Sequence, residues 1–146
     1  PVYLPLMIEN STQELLKTSA DYRYIDELWS TLDLIICSVG YSIPRSPLFR
    51  QGLLGQDHVA YLQKHGVVGD ILTHYFDVKG RPVRLDVEEA MVNVSLAQIR
   101  DAGTKLVLAY GSEKTQSILG GLRTGLIDVL ATDVNTARAV LALTAS

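Results

Sequence analysis

The sequence feature that most constrains the fold is residues 106–132, LVLAYGSEKTQSILGGLRTGLIDVLAT, a strand, glycine turn, helix and strand in succession. Two short apolar runs, residues 106–110 and 127–131, flank a glycine turn at residues 111–114 that opens a helix. This order predicts a βαβ unit. In such units ligands bind where a strand ends and a helix begins, because free N–H groups and the helix dipole favour an anion there.

Strand and helix patterns alternate along nearly the whole chain. Strands are predicted at residues 2–6, 34–40, 67–76 and 82–85, and helices at 11–18, 22–31, 56–65, 95–103 and from 132 onward. We therefore predict an α/β fold with a mainly parallel sheet flanked by helices. Residues 67–76 and 82–85 add a small β-hairpin. The unbroken apolar run at 34–40 predicts a strand buried on both faces.

Composition excludes several classes of protein. The chain has 146 residues and a net charge of −3, with no basic stripe, so direct binding of nucleic acid is not expected. No apolar run approaches the roughly 18 residues of a membrane span, and no secretory signal is visible, so we expect no membrane partner. The single cysteine, Cys37, cannot form an intrachain disulfide, which fits a cytoplasmic protein.

The common catalytic and cofactor motifs are absent from the sequence. There is no Gly-x-Gly-x-x-Gly, no Walker-type loop and no nucleophile elbow. The three histidines, His58, His65 and His74, lack the paired spacing of metal ligands. We expect no metal, no cofactor and no catalytic residues.

Two positions remain as candidates for ligand binding. Lys114 lies at a helix N-terminus, where a cation opposes the dipole and favours an anion nearby. A phosphate is favoured over the alternative, a solvated lysine in the first turn for which Glu113 alone supplies the anion. Asp70 follows Gly69 inside a predicted strand, and is either a buried, hydrogen-bonded carboxylate or a ligand contact. The local pattern favours neither of these two interpretations of Asp70.

Several segments resemble one family, the SorC-type sugar-binding transcriptional regulators of bacteria. Residues 66–83, GVVGDILTHYFDVKGRPV, resemble its Gly-Ala-Val-Gly-Asp-Ile … Phe-Phe-Asp … Gly-Arg-Pro-Val segment. Residues 92–141 are similar to its C-terminal segment, with a Gly-x-x-Lys turn and a Gly-Leu-Ile-Asp-Val-Leu strand. Residues 3–16 resemble its Leu-Pro stretch and following helix.

The resemblance implies a fold and a set of site residues. In this family a C-terminal domain, Rossmann-like and similar to glucosamine-6-phosphate deaminase and ribose-5-phosphate isomerase, binds a phosphorylated sugar and oligomerises. The motif match places Lys114 on the phosphate and Asp70 beside the sugar, and Gly40 ends the strand whose loop borders the pocket. The implied ligand-binding set is Lys114, Asp70, Gly69, Gly111, Ser112, Glu113, Gly40 and Tyr41.

Two parts of the family pattern are missing. The chain has neither the helix-turn-helix nor the first strand with its phosphate loop, so residues 1–146 are expected to be the C-terminal part of a sugar-phosphate effector-binding domain. DNA would be bound only through the absent N-terminal domain. The truncation also predicts an exposed apolar sheet surface and a homo-oligomer.

The sequence is compatible with three functions. The leading one is a sensor whose phosphorylated sugar effector changes operator affinity. The alternative is an isomerase- or deaminase-like enzyme, which needs a second acid/base group beside Asp70. His74 is expected on the same side of the strand as Asp70 but ~13 Å away at ~3.3 Å per residue. The third is an oligomerisation module alone.

Overall fold

The computed structural model describes residues 10–41 and 46–144. The strand predicted at residues 2–6 lies outside the described residues. The helices are α1 (Asn10–Lys17), α2 (Ala20–Trp29), α3 (Pro47–Arg50), α4 (Gln56–Lys64), α5 (Leu96–Asp101), α6 (Thr115–Arg123) and α7 (Val134–Thr144). The strands are β1 (Leu34–Cys37), β2 (Val67–Ile71), β3 (His74–Asp77), β4 (Pro82–Val83), β5 (Thr104–Leu108) and β6 (Val129–Ala131). Short 3₁₀ turns occupy Asp86–Ala90 and Ser112–Lys114.

A parallel sheet forms the base of the fold. Its strand order is β1-β5-β6, with Ile36 opposite Leu106 and Leu106 opposite Val129. The βαβ unit predicted at residues 106–132 is confirmed as β5, α6 and β6. The α/β class is confirmed with it.

A second, antiparallel sheet of order β2-β3-β4 joins the first at the end of β1. A single bridge pairs Val39 with Ile71, and α6 packs along β2. The main core joins residues of both sheets with residues of α5, α6 and α7, and its fully buried members include Val39, Val107 and Ile118. The bridge at Val39 links the C-terminal end of β1 to the second sheet.

The predicted strand 67–76 is wrong in one respect: it is two strands. A tight turn at Leu72 and Thr73 reverses the chain, and both residues have positive φ, 51° and 69°. Glycine or asparagine is the usual signal for such a turn, and neither is present here. The predicted small hairpin is consequently a three-stranded sheet.

The prediction that β1 is buried on both faces is also wrong. Ile35 is buried against the core, whereas Leu34 and Ile36 on the other face are exposed. The apolar sheet surface expected from the sequence is present on this outer face. Across the described residues, no helix has the length and apolar composition needed to cross a bilayer.

Candidate ligand-binding site

The ends of neighbouring parallel strands bring two loops together. Residues 38–41 follow β1 and residues 109–114 follow β5, and the two strands pair directly. The C-terminal edge of a parallel sheet is where α/β folds place their ligand sites. Most of the predicted site residues therefore lie in one region.

Lys114 is held across the end of β1. Its Nζ donates to the carbonyl oxygen of Val39 at 2.8 Å and to the hydroxyl of Ser38 at 3.2 Å. The ammonium also lies 4.5 Å from the centroid of the Tyr41 ring, a cation–π contact. An ammonium has three N–H donors, so one remains for a ligand. The lysine is thus a positioned cation rather than a mobile surface one.

The turn before Lys114 offers fewer backbone donors than the sequence predicts. Gly111 has a φ of 105°, and its N–H donates to the hydroxyl of Thr136 at 2.8 Å. The N–H of Gly111 is therefore not free to donate to a ligand in this conformation. The N–H groups of Ser112 and Glu113 have no hydrogen-bond partner within the described part of the chain. They are the donors that an anion could reach.

Thr136 is oriented by the residue that caps α7. The carboxylate of Asp133 accepts hydrogen bonds from the Thr136 hydroxyl and from the N–H groups of Asn135 and Thr136. The Thr136 hydroxyl and N–H are the main causes that hold the pKa of Asp133 below its usual range. The cap of α7 consequently fixes the glycine turn beside Lys114.

The side chain of Glu113 lies back over its own turn. A Cβ built on Gly111 would stand 2.8 Å from Oε1 of Glu113, so the carboxylate lies against the glycine backbone. A bound anion at this turn would repel that carboxylate. Glu113 can contribute its N–H to such a ligand, but its side chain must rotate away.

Asp70 lies directly against the end of β1. Its backbone carbonyl accepts from the N–H of Gly40 at 2.8 Å, and its Oδ2 accepts from the N–H of Thr73 at 3.1 Å. A Cβ on Gly40 would lie 1.8 Å from Oδ1 of Asp70, so any larger residue there would displace the Asp70 carboxylate. Gly69 is equally close-packed, since a Cβ on it would meet Ser117 and the Gly40 carbonyl within 3 Å.

The carboxyl of Asp70 is short of stabilising partners. Burial raises its pKa above the ordinary range, and this effect outweighs the Thr73 N–H, His74 and Lys114, which act in the opposite direction. Among the described residues Oδ1 of Asp70 accepts no hydrogen bond. A ligand hydroxyl or amine that donated to Oδ1 would favour the ionised carboxylate.

The turn that positions Asp70 was missed from the sequence. Asn93 donates from Nδ2 to the hydroxyl of Thr73 and, at 3.4 Å, to the carbonyl of Leu72. Thr73 in turn donates to Asp70, so Asn93 supports Asp70 through one intermediate residue. No local signal marks this link, because Asn93 lies 20 residues from Thr73 in sequence.

His74 is not where the sequence places it. The turn at Leu72 and Thr73 folds β3 back along β2, so the expected separation of about 13 Å along one strand does not apply. His74 pairs with Ile71 in the register, Asp70 pairs with Tyr75, and the His74 ring bonds to the Val94 carbonyl at 2.8 Å. The ring is still near enough to Asp70 to lower the pKa of its carboxyl.

A cleft opens next to this turn. Its volume is about 490 Å³, and its lining includes His74, Glu88 and Asn93. Asn93 therefore both supports Asp70 through Thr73 and lines the cleft. The site as described can hold an anion at Lys114 and accept a donor at Asp70.

Known proteins are similar to this chain over nearly its whole length. The family described as "Putative sugar-binding domain" matches residues 1–142. The deoxyribonucleoside regulator of Bacillus subtilis is 30% identical over 144 residues, which cover 97% of this chain and 46% of the relative. The chain spans about a third to just under half of the curated relatives it matches first.

Solved structures give the same result. A transcriptional regulator from Streptococcus pneumoniae TIGR4 superposes with a TM-score of 0.88 at 27% identity, over 99% of this chain and 56% of that one. The full-length sorbitol operon regulator SorC from Klebsiella pneumoniae gives a TM-score of 0.86 at 26% identity, over 95% of this chain and 45% of that one. The chain belongs to the sugar-binding domain family of SorC/DeoR-type transcriptional regulators.

Proposed function

We propose that this chain binds a phosphorylated sugar effector at the C-terminal edge of its parallel sheet. The observation that carries the proposal is Lys114, whose ammonium is fixed over the end of β1 by Val39, Ser38 and Tyr41. Next to it, the N–H groups of Ser112 and Glu113 are unpaired within the described residues. A fixed cation beside free helix-terminal N–H groups is a suitable environment for a phosphate.

The sugar part of the ligand is assigned to the side of the site that carries Asp70. Asp70 offers an unpaired carboxylate oxygen, and hydroxyl groups donate well to carboxylates. Gly69 and Gly40 allow the strands to approach closely enough to hold Asp70 there, and the Tyr41 ring lies beside the Lys114 ammonium. These residues, with Gly111 as the turn that orients Ser112, make up the proposed site.

The effector acts as a regulatory signal in this proposal. Binding changes the operator affinity of the full-length protein, whose DNA-binding part lies outside these residues. The effector must bind two conformations with different affinity for this to happen. Residues 1–146 are then the C-terminal part of the effector-binding domain of a homo-oligomeric regulator, at work in the cytoplasm where sugar phosphates and operators are found.

Calorimetric titration of the full-length protein tests this function. A panel of sugar phosphates is titrated in parallel with the same sugars lacking phosphate. We expect one or more phosphates to bind at least tenfold more tightly than their unphosphorylated partners. Absence of binding by every phosphate, or equal affinity within every pair, would contradict the proposal.

We also propose that the domain is not an enzyme. The relatives compared above are named as regulators, and the His74 ring bonds to the Val94 carbonyl rather than to Asp70. The alternative, a sugar-phosphate isomerase or deaminase, predicts turnover of the ligand that binds. Incubation of the full-length protein with that ligand, followed by NMR of the sugar, separates the two.

A further inference from the structure

One buried hydroxyl close to the site has no hydrogen-bond partner. Tyr75, on β3, is only 3% exposed, and its Oη makes no hydrogen bond with any described residue. A hydroxyl buried without a partner costs free energy, so nearly all buried polar groups in proteins are paired. Phenylalanine has the same ring and would avoid that cost. The hydroxyl therefore needs an explanation other than packing in the ligand-free protein.

Tyr75 is a direct neighbour of Asp70. The two residues are paired in the register of β2 and β3. Residues directly opposite each other on antiparallel strands carry their side chains on the same face, with Cβ atoms about 4.5–5.5 Å apart. After the larger effect of burial, the Asp70 carboxylate also raises the pKa of Tyr75. The phenol hydroxyl is therefore within electrostatic reach of the Asp70 carboxyl.

The acceptor beside Tyr75 is unpaired as well. Oδ2 of Asp70 accepts from the N–H of Thr73, whereas Oδ1 accepts no hydrogen bond within the described part of the chain. An unpaired donor and an unpaired acceptor are thus neighbours without being bonded to each other. One hydroxyl group placed between them can accept from Tyr75 and donate to Asp70 at the same time. An ammonium only donates and a carbonyl only accepts, so neither satisfies both groups.

The surroundings keep Tyr75 in its donor form. Burial is the main cause that raises the pKa of its hydroxyl, and the carboxylates of Asp70 and Glu88 add to it. The hydroxyl is therefore protonated at physiological pH. Glu88, the other nearby carboxylate, already accepts from the N–H of Leu85 at 3.0 Å. Asp70 is consequently the neighbour that lacks a donor.

A ligand reaches the Tyr75 hydroxyl by displacing part of the apolar cluster around it. Leu48 and Phe49 of α3 pack against this cluster and are only partly buried. α3 has four residues, and the side chain of its N-cap, Ser46, makes no capping hydrogen bond. A helix of one turn has little stability of its own, so its displacement costs little.

We propose that Tyr75 is a specificity-determining residue of the sugar-phosphate site, whose hydroxyl and the Oδ1 of Asp70 hold one sugar hydroxyl group between them. This inference rests on the function proposed above. It explains why a buried hydroxyl is unpaired in the ligand-free protein, since its partner arrives with the ligand. It also predicts that a sugar with a hydroxyl at that carbon binds more tightly than its deoxy or amino counterpart.

Tyr75→Phe in the full-length protein tests the inference, because it removes the hydroxyl and keeps the ring. The variant is titrated by calorimetry with the sugar phosphate of the panel that the wild type binds most tightly, and with each monodeoxy analogue of that compound. We expect the parent compound to bind about 2- to 12-fold more weakly, the usual contribution of one neutral hydrogen bond. One deoxy analogue should bind the variant and the wild type equally. Tyr61→Phe, at an exposed position of α4, should bind like the wild type.

Two results would overturn the role of Tyr75. One is an unchanged affinity of Tyr75→Phe for the parent compound, and the other is an equal loss for the parent and every deoxy analogue. Lys114→Ala, titrated in parallel, separates these results from failure of the proposed function. A loss in Lys114→Ala with none in Tyr75→Phe removes only the role of Tyr75. Absence of binding by the wild type to every member of the panel would remove both proposals.

The stability of the ligand-free protein gives an independent measurement. An unpaired hydroxyl does not stabilise the fold, so the Tm of Tyr75→Phe should equal or exceed that of the wild type. A Tm lowered by several degrees would show that the hydroxyl is bonded within the ligand-free protein, for example to Glu88, and would overturn the inference.

Discussion

The ammonium of Lys114 donates to the carbonyl oxygen of Val39 at 2.8 Å, and so joins the turn after β5 to the end of β1. The lysine is therefore ordered before any ligand arrives. A preorganised cation loses less side-chain entropy on binding than a mobile one. This arrangement also means that replacing Lys114 removes both a ligand contact and a link between two strands.

Lys114→Ala should weaken the binding of phosphorylated sugars much more than the binding of their unphosphorylated partners. A hydrogen bond to a charged group contributes about 1.5–3 kcal/mol, which corresponds to a loss of roughly 10- to 150-fold in affinity. Calorimetry on matched sugar pairs measures it, and Lys79→Ala, at an exposed turn, is the control. An equal loss for both members of a pair would remove the phosphate role of Lys114.

Gly40→Ala should destabilise the domain by about 1–3 kcal/mol, as expected for overpacking, because its methyl group would overlap the Asp70 carboxylate. Gly55→Ala is a comparison in which the new methyl group has open space, since the nearest atom to a Cβ there is 3.8 Å away; Gly55 is the N-cap of α4, so the loss expected there is that of a poorer cap without overpacking. Urea denaturation measures both variants. In the double variant Gly40→Ala/Asp70→Ala the clash is gone, so the two effects should not add; strict additivity would contradict the contact.

The sequence was sufficient for the parallel sheet and for the position of Lys114. Apolar runs and a glycine turn determine β5, α6 and β6, and those signals are local. The turn at Leu72 and Thr73 could not be predicted, because its positive φ values are imposed by contacts with Asp70 and Asn93 rather than by glycine. Tertiary contacts overrode the local preference there.

The candidate site likewise combines features that local sequence predicts with features that distant residues determine. The N–H of Gly111, a residue of the implied ligand-binding set, donates to Thr136 on a different helix, and nothing near Gly111 in sequence signals this. The apolar run at 34–40 likewise does not show which of its faces is covered, and Leu34 and Ile36 are exposed. In both cases the missing information concerns partners distant in sequence.

Asp70→Asn should stabilise the protein at neutral pH while lowering its affinity for the ligand. Burial raises the folded-state pKa of Asp70 above the ordinary 3.8, so ionised Asp70 costs stability once the pH exceeds that value. The Tm of the variant should therefore exceed that of the wild type at neutral pH, and the gap should close as the pH falls below about 4. A variant less stable at neutral pH would show that ionised Asp70 is instead well compensated.

Asp77→Asn should destabilise the hairpin sheet in a pH-dependent way. Asp77 is buried, and its carboxylate accepts from the N–H groups of Lys79 and Arg81 and pairs with the Arg81 guanidinium at 2.6 Å. Burial alone would raise its pKa, but the bonds from Arg81 and Lys79 outweigh burial and lower it. A lowered folded-state pKa gives stability that is present above the ordinary value of 3.8 and lost as pH falls through the folded value.

The free energy of unfolding from urea titrations at several pH values measures this effect. At neutral pH the variant should be about 1–3 kcal/mol less stable than the wild type, the usual cost of losing charged hydrogen bonds. The difference should shrink at acidic pH, where the wild-type carboxylate is also protonated. Asp101→Asn, at an exposed position, should stay close to the wild type throughout. A difference that persisted unchanged to about pH 2, well below the usual carboxyl pKa, would show that shape rather than charge explains the role of Asp77.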